Sequence, residues 1–214
     1  MLYNIQTKQW DDELLAIFHI DKSILAEVVD SQADYGSYAT SSTHMAHTIK
    51  AVVGDQQASM YAAGTATGTT KVTYGTGIFP MKLIGSQFAL KDGYLTTLAI
   101  GSNGKPTFAL EGKVENAAPR VNKVYGIDKP AFDQLMLGLA HEAAPTIAGL
   151  VDHPNHLVYV DGGISQNDDI LREQEKLNHI RTERLASHNG TALGVARLLF
   201  TANLKLSPAP SLAI

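Results

Sequence analysis

The chain contains no cysteine among its 214 residues, and this absence removes several kinds of chemistry at once. Thiol nucleophiles, disulfide bonds and zinc sites built from thiolates are all excluded. Charged residues are also scarce, at 18% of the sequence, and the formal net charge is -4. Since no block of basic residues occurs anywhere, we expect no surface for nucleic acid or for an anionic membrane.

Long apolar runs are missing as well. No stretch approaches the roughly 20 residues that cross a bilayer, and residues 1–6 lack the basic and apolar regions of a signal peptide. We therefore expect a cytoplasmic protein with no membrane partner. Hydrophobic residues still make up 44% of the chain, which is enough for one globular domain, or for one domain with a fragment of another.

Eight histidines invite a search for a metal site. The close pairs are His44 with His47 and His153 with His156, and neither pair has a matched third ligand. His141 precedes a glutamate, but the second histidine of a zinc-protease helix is missing. The sequence therefore predicts no metal site built from these side chains.

The first part of the chain has weak structural signals. Apolar residues recur at helical spacing over 10–18, and acidic residues in its first turn favour the positive end of a helix. A second short helical piece is expected over 23–28. Residues 30–48 are rich in Ser, Thr, Ala and His without an apolar period, which predicts a loop or linker.

From residue 49 onward the pattern is that of an α/β protein with a mixed sheet, because hairpins come early and a strand-turn-helix unit comes late. We expect residues 1–48 to be separate from a domain over 49–205, and a disordered tail over 206–214. The expected elements are a strand over 49–53, a helix over 55–63, a hairpin over 71–83, paired strands over 95–100 and 106–110, an irregular stretch over 113–130, a helix kinked by Pro145 over 132–151, a strand over 157–160, and helices over 165–177 and 191–202.

Asp55 lies where the expected strand ends and the helix begins. A carboxylate at such a junction can accept a proton from a bound hydroxyl, as a phosphotransferase requires of its base. Gln56 beside it can both donate and accept hydrogen bonds, which suits a polyol. The alternative is that Asp55 is only an N-cap or first-turn residue of that helix, a contribution of roughly 1 kcal/mol.

Two glycine-bearing segments are candidates for a nucleotide site. Thr73-Tyr74-Gly75-Thr76-Gly77 combines glycines, which let backbone N–H groups approach a phosphate, with hydroxyl donors. Asp161-Gly162-Gly163 ends a strand and opens a helix, with Asn167 one turn further on, and a helix N-terminus of this kind can hold a nucleotide. An ordinary hairpin and an ordinary Asp-Gly turn are the alternatives.

Several segments, in order along the chain, resemble the FGGY carbohydrate kinase family and within it the glycerol kinases. The matching segments are Leu2-Tyr3-Asn4-Ile5, Trp10-Asp11-Asp12-Glu13, Gly54-Asp55-Gln56-Gln57-Ala58, Thr73-Tyr74-Gly75-Thr76-Gly77, Phe108-Ala109-Leu110-Glu111-Gly112, Val160-Asp161-Gly162-Gly163 with Asn167-Asp168, and Thr191-Ala192-Leu193-Gly194.

The resemblance implies an RNase H-like fold of the actin/hexokinase type, corresponding to the second domain of such a kinase plus a remnant of the first. It implies ATP-dependent phosphorylation of a polyol or sugar hydroxyl, with Mg. By position, Asp55 is the expected general base and Gln56 the expected polyol contact. The expected nucleotide contacts are Thr73, Gly75 and Thr76 at the phosphates, and Gly163 and Asn167 at the adenosine.

The same resemblance implies large differences from the family. Relatives have a complete first domain with metal and substrate residues, and a longer stretch after Gly112, which this chain replaces with few residues. We therefore expect a truncated kinase, weakly active or inactive as a lone chain, whose exposed apolar face is covered by a partner polypeptide or a second copy. The alternatives are a non-catalytic remnant, one half of a split kinase, and a nucleotide-binding regulatory module.

Overall fold

The computed structural model describes residues 2–42 and 45–204. The helices are α1 Asp12–Ile17, α2 Asp55–Ala63, α3 Ala117–Val124, α4 Lys129–Ala148, α5 Asp168–Asn178 and α6 Gly190–Leu204. The strands are β1 Tyr3–Asn4, β2 Gln9–Trp10, β3 Ser37–Ala39, β4 Ala46–Thr48, β5 Thr70–Tyr74, β6 Ile78–Gly85, β7 Leu95–Ile100, β8 Pro106–Glu111, β9 Leu157–Asp161 and β10 Arg181–Arg184.

A six-stranded mixed sheet forms the centre of the molecule. Its strand order is β10-β9-β5-β6-β8-β7. Strand β5 pairs in parallel with β9 and antiparallel with β6, and Thr73 lies opposite Asp161 on one side and Phe79 on the other. The α/β class with a mixed sheet, predicted from the sequence, is therefore confirmed.

Helices cover both faces of this sheet. Helices α4 and α5 pack together on one face, and α2 and α6 pack together on the other. The residues of β5 alternate between the two faces, as a strand requires. Val72 and Tyr74 belong to the larger core beneath α4 and α5. Lys71 and Thr73 therefore point to the α2 face, where polar groups of α2 meet them.

The first fifty residues form small units at the edge of this domain. Strands β1 and β2 make one hairpin and β3 and β4 another. The side-chain amide of Gln32 donates to the carbonyl of Leu198 at 2.8 Å, which joins this segment to α6. Several large apolar side chains remain exposed here, including Phe18 at 62% and Ile24 at 75%.

The structure confirms the helix over 55–63, both hairpins of the main sheet, and the helix that runs through Pro145. It contradicts the strand over 49–53, because this stretch forms no strand and does not join the main sheet, whose edge near it is β7. The expected linker contains the hairpin of β3 and β4. The helix expected over 165–177 begins later, at Asp168, because Asn167 rather than Ser165 caps it.

The irregular stretch expected over 113–130 contains α3, so that prediction was wrong. Its helix is stabilised by tertiary contacts, since Arg120 forms a two-pronged ion pair with Glu142 of α4 at 2.7 and 2.8 Å. The ring of Tyr125 also packs on Phe132, with ring centres 5.7 Å apart. The disordered tail expected over 206–214 lies outside the described residues.

No helix within the described part of the chain is long and apolar enough to span a bilayer.

We predict that Gly194→Ala destabilises the protein. A Cβ atom at Gly194 would lie 1.8 Å from the carbonyl oxygen of Ala58, so α6 must move away from α2. The expected loss is about 1–3 kcal/mol of unfolding free energy, measured by urea denaturation. Gly138→Ala in α4 is the matched control, because nothing lies within 4 Å of its added Cβ. That control should be neutral or stabilising by up to about 1 kcal/mol, and equal destabilisation of both variants would contradict the packing argument.

Candidate active site

The ends of β5 and β9 bring two of the glycine-bearing segments together. Gly162 follows β9 with φ of +91°, and a Cβ atom there would lie 2.3 Å from the carbonyl oxygen of Tyr74. Only glycine fits this approach with this backbone angle. The loop that starts at Gly163 is thereby held beside the turn at Gly75, although the two are far apart in sequence.

A cavity of about 570 Å³ opens between these segments. Gly75 and Thr76 line it from the turn after β5, and Gly163 and Asn167 line it from the loop after β9. The structure thus brings together four of the five residues that the sequence proposed for the nucleotide. The fifth, Thr73, is absent from the lining and belongs to a buried network described below.

Helices α3 and α4 supply the rest of this cavity, and sequence reasoning missed them. The apolar lining includes Val121, Phe132 and Met136, and Asn122 adds an amide. The amide hydrogen of Ala118 donates to the carbonyl of Thr76 at 3.2 Å, which docks α3 on the turn. An apolar wall with a few amide groups suits a nucleoside, whose base is flat and hydrogen-bonding.

Asn167 has a structural role that limits what it can do for a ligand. Its side-chain oxygen accepts from the backbone N–H groups of Asp169 and Ile170 at 2.9 and 3.0 Å, and so caps α5. Its NH₂ group remains for a ligand in the cavity. The two acids that follow it are neutralised by neighbours, Asp168 by Arg184 at 2.5 Å and Asp169 by Arg172 at 2.6 Å.

Asp55 and Gln56 lie at the beginning of α2, away from this cavity lining. Asp55 is exposed, and its carboxylate accepts from the backbone N–H of Gln56 at 2.8 Å. The base candidate is therefore open to solvent and not enclosed in a core. Gly54, rather than Asp55, stands at the N-cap position, and glycine has no side chain with which to cap the helix. Asp55 is therefore a first-turn residue rather than the N-cap, and the alternative of a purely structural first-turn acid stays open.

A buried polar network lies directly under this helix end. The ammonium group of Lys71 is fully buried and donates to the side-chain oxygen of Gln56 and, at 2.6 Å, to the hydroxyl of Thr73. Thr73 in turn donates to Asp161 at 2.6 Å, and Ser59 donates to the other oxygen of Asp161 at 2.8 Å. Lys71 and Ser59 were not among the sequence candidates. The sequence signal that could have drawn attention to Lys71 is one charged residue within the otherwise uncharged strand Thr70–Tyr74, although its burial is seen only in the structure.

Burial lowers the pKa of Lys71 from 10.5 to about 8, against the opposing attraction of Asp161, Glu111 and Asp55. Burial likewise raises the pKa of Glu111, which Lys71 counteracts. Glu111 ends β8 and lies in the same cross-strand row as Lys71, with Met81 between them. Three carboxylates from three elements therefore surround one ammonium beside the start of α2.

Within the described residues, no group of three or more His, Asp or Glu side chains is placed to hold a metal ion.

Solved structures define the class of this fold. The glycerol kinase of Plasmodium falciparum, solved with ADP, superimposes with a TM-score of 0.80 at 21% identity, over 97% of this chain and 53% of that one. The ligand-bound xylulose kinase of Lactobacillus acidophilus gives a TM-score of 0.65 at 12% identity, over 97% of this chain and 54% of that one. The fold is therefore the actin/hexokinase-type fold of the FGGY carbohydrate kinases.

Relatives found by sequence indicate which FGGY kinases this chain resembles. The glycerol kinase of Thermococcus gammatolerans is 32% identical over 253 aligned residues, which cover 92% of this chain and 51% of the relative. The chain is thus related to the glycerol kinases of the FGGY family, and the resemblance drawn from its motifs is confirmed. No family model matches the chain.

The chain spans about half the length of the curated relatives that it matches. The alignment with the Thermococcus gammatolerans enzyme is also longer than the 214 residues of this chain. That relative therefore has residues inside the aligned region that this chain lacks.

We predict that Lys71 makes stability depend on pH between about 8 and 10. Because the folded-state pKa is below the unfolded value of 10.5, the unfolded chain binds this proton more tightly, so unfolding free energy rises as pH rises through this window. The gain should be about 2 kcal/mol. Equilibrium denaturation at each pH measures it.

Lys71→Met is the control and should lack this rise, because it has no proton to release. Measurements should stop near pH 10, where the buried hydroxyl of Tyr74, whose pKa is raised by burial, begins to act in the opposite direction. A wild-type curve parallel to that of the variant would contradict the assignment.

Proposed function

We propose that this chain carries the base and the nucleotide half of a glycerol kinase-like, ATP-dependent phosphotransferase that acts on a polyol hydroxyl. The observation that carries the proposal is that β5 leads directly from the polar network beneath Asp55 and Gln56 to the cavity. Thr73 of β5 lies in the network under α2, and Gly75, in the turn directly after β5, lines the cavity; the two are roughly 7 Å apart along the chain. The ancestry in glycerol kinases supports the same assignment.

In this proposal the cavity between α3, α4 and the two glycine loops holds ATP. Gly75, Thr76 and Gly163 offer backbone groups close to the ligand, the apolar side chains receive the base, and Asn167 offers an NH₂ group. These residues fit a nucleotide, and the related structure from Plasmodium falciparum was solved with ADP. ATP supplies the phosphoryl group that is transferred.

Asp55 is the proposed general base and Gln56 the proposed polyol contact. The carboxylate accepts the proton of a polyol hydroxyl while the hydroxyl oxygen bonds to the terminal phosphorus of ATP and the bond to the ADP oxygen breaks. The exposure of Asp55 supports this role, because a bound polyol can reach it. The described residues do not by themselves fit a magnesium site, so no step is assigned to the metal.

We further propose that residues 1–48 correspond to a remnant of a first kinase domain and its linker, and 49–205 to the second domain. Phosphoryl transfer depends on positioning and charge neutralisation, and the described residues offer little of either above Asp55. A lone chain should therefore transfer phosphate slowly or not at all. We propose that a separate polypeptide or a second copy supplies the missing groups. It would cover the exposed apolar residues near Phe18 and Ile24.

A nucleotide-binding module without catalysis is the second candidate. It is favoured by one observation, namely that α3, α4 and the segments at Gly75 and Gly163 wall the cavity on several sides, whereas Asp55 is exposed. A non-catalytic remnant, or one half of a split kinase, would share this arrangement. Binding and transfer measurements separate these possibilities.

Nucleotide binding tests the cavity. Isothermal titration with a non-hydrolysable ATP analogue should detect binding to the wild-type chain. Gly163→Val should weaken it about tenfold or more, because a Cβ atom at Gly163 meets nothing within 4 Å and the added methyl groups occupy ligand space rather than the core. Thr76→Ala should weaken it less.

Asp55→Asn is the control for that titration, since Asp55 lies outside the cavity lining. Its affinity for the analogue should equal that of the wild type. Equal affinity in all four proteins, or no binding to any, would reject the proposed nucleotide site.

Transfer of labelled phosphate from ATP to glycerol tests the catalytic assignment. Any transfer by the wild-type chain should fall by about 10²–10⁴-fold in Asp55→Asn, while nucleotide binding persists. Transfer that survives this substitution would remove Asp55 from the chemistry. Nucleotide binding with no transfer, in protein of monomeric mass by light scattering, would favour the binding module.

A further inference from the structure

Lys71 is the residue whose burial the proposed function leaves unexplained. It lies on the central part of the sheet, has no exposed surface, and faces the first two turns of α2. Burying an ammonium group is costly unless it is paired and hydrogen-bonded. A methionine of similar length would fill the same space without that cost, so the charge calls for a function of its own.

Lys71 is the donor in each of its hydrogen bonds. An ammonium group has three donors and no acceptor, so the bonds to Gln56 and Thr73 must both be donated by Lys71. The Thr73 hydroxyl then has its own proton left for Asp161, 2.6 Å away. This order connects Lys71 to the Asp161 carboxylate through one hydroxyl.

The consequence for Gln56 follows from the same inventory. The end of its amide that meets the ammonium must be the oxygen, because the NH₂ end cannot accept. The NH₂ group therefore points away from Lys71. Gln56 is half-buried and follows Asp55 directly, so its free donor belongs to the same helix end as the exposed carboxylate.

We propose that Lys71 is a positioning residue that locks the side-chain amide of Gln56 with its NH₂ group toward the polyol, an inference that rests on the proposed function. A hydroxyl has one proton and two lone pairs. It can donate to Asp55 while it accepts from Gln56, and this pairing selects an alcohol whose proton points at the base. With the amide reversed, Gln56 and Asp55 would both compete for that proton.

The charges around Lys71 keep it protonated near neutral pH. Asp161 faces it from β9, Glu111 from β8 and Asp55 from α2, and all three oppose the effect of burial. Thr73 and Gln56 complete its contacts. Above about pH 8 the ammonium loses its proton, and a neutral amine, which can also accept, no longer dictates which end of the amide it meets.

The side-chain carbonyl carbon of Gln56 reports this lock directly in the free protein. In uniformly ¹³C,¹⁵N-labelled protein, with the resonance assigned by its loss in Gln56→Glu, its chemical shift should titrate with a midpoint near pH 8. The titration should vanish in Lys71→Met. Lys71→Arg keeps donors without titrating, so it should hold the low-pH shift across the range. A wild-type carbon that does not titrate would overturn the proposal, and this outcome does not depend on the folding of any Lys71 variant.

Polyol binding supplies the second readout. At pH 7, Lys71→Met should weaken glycerol binding about tenfold or more, with affinity for the ATP analogue unchanged and with partial rescue in Lys71→Arg. Equal losses of both ligands would indicate a merely structural lysine and overturn the proposal. Failure of the proposed function looks different, because glycerol would then not bind the wild type while the Gln56 carbon still titrates.

Discussion

The buried link from Lys71 through Thr73 to Asp161 is the interaction on which the rest of the site depends. It joins β5 to β9 at the point where both strands end, and Ser59 ties the same carboxylate to α2. Two buried charges bridged by the half-buried hydroxyl of Thr73 tolerate few other arrangements, since any unpaired member would be costly. The strand ends and the start of α2 are therefore held in a fixed relation.

Close packing of backbones then builds the cavity on that frame. Gly162 lies against the carbonyl of Tyr74, and Gly194 lies against Ala58 where α6 crosses α2. Both contacts leave no space for a side chain. The first contact places the segments at Gly75 and Gly163 side by side. The second holds α6 over α2 and the polar network. The cavity and the network therefore meet at the end of β5, where Gly75 follows Thr73 by two residues.

The two halves of the site differ in how completely they are enclosed. The nucleotide half has walls from α3, α4 and both loops, whereas the Asp55 half opens to solvent. The exposed apolar side chains of the first fifty residues lie outside the main core. This asymmetry fits a chain that spans about half of its relatives' length, and in our proposal nucleotide binding is the property that this chain would show by itself.

The sequence by itself determined the α/β class, the helix that begins at Asp55, the paired strands around Gly75, and the family, because period-two and helical patterns and short glycine motifs are local properties. It also identified four of the residues that line the cavity. Only the tertiary structure decided that α3 packs on α4, that Thr73 donates to Asp161, and that Lys71 is buried beneath Gln56. Those outcomes depend on contacts between segments far apart in the chain, such as Arg120 with Glu142 and Lys71 with Gln56, and no local pattern encodes which distant partner a side chain will meet.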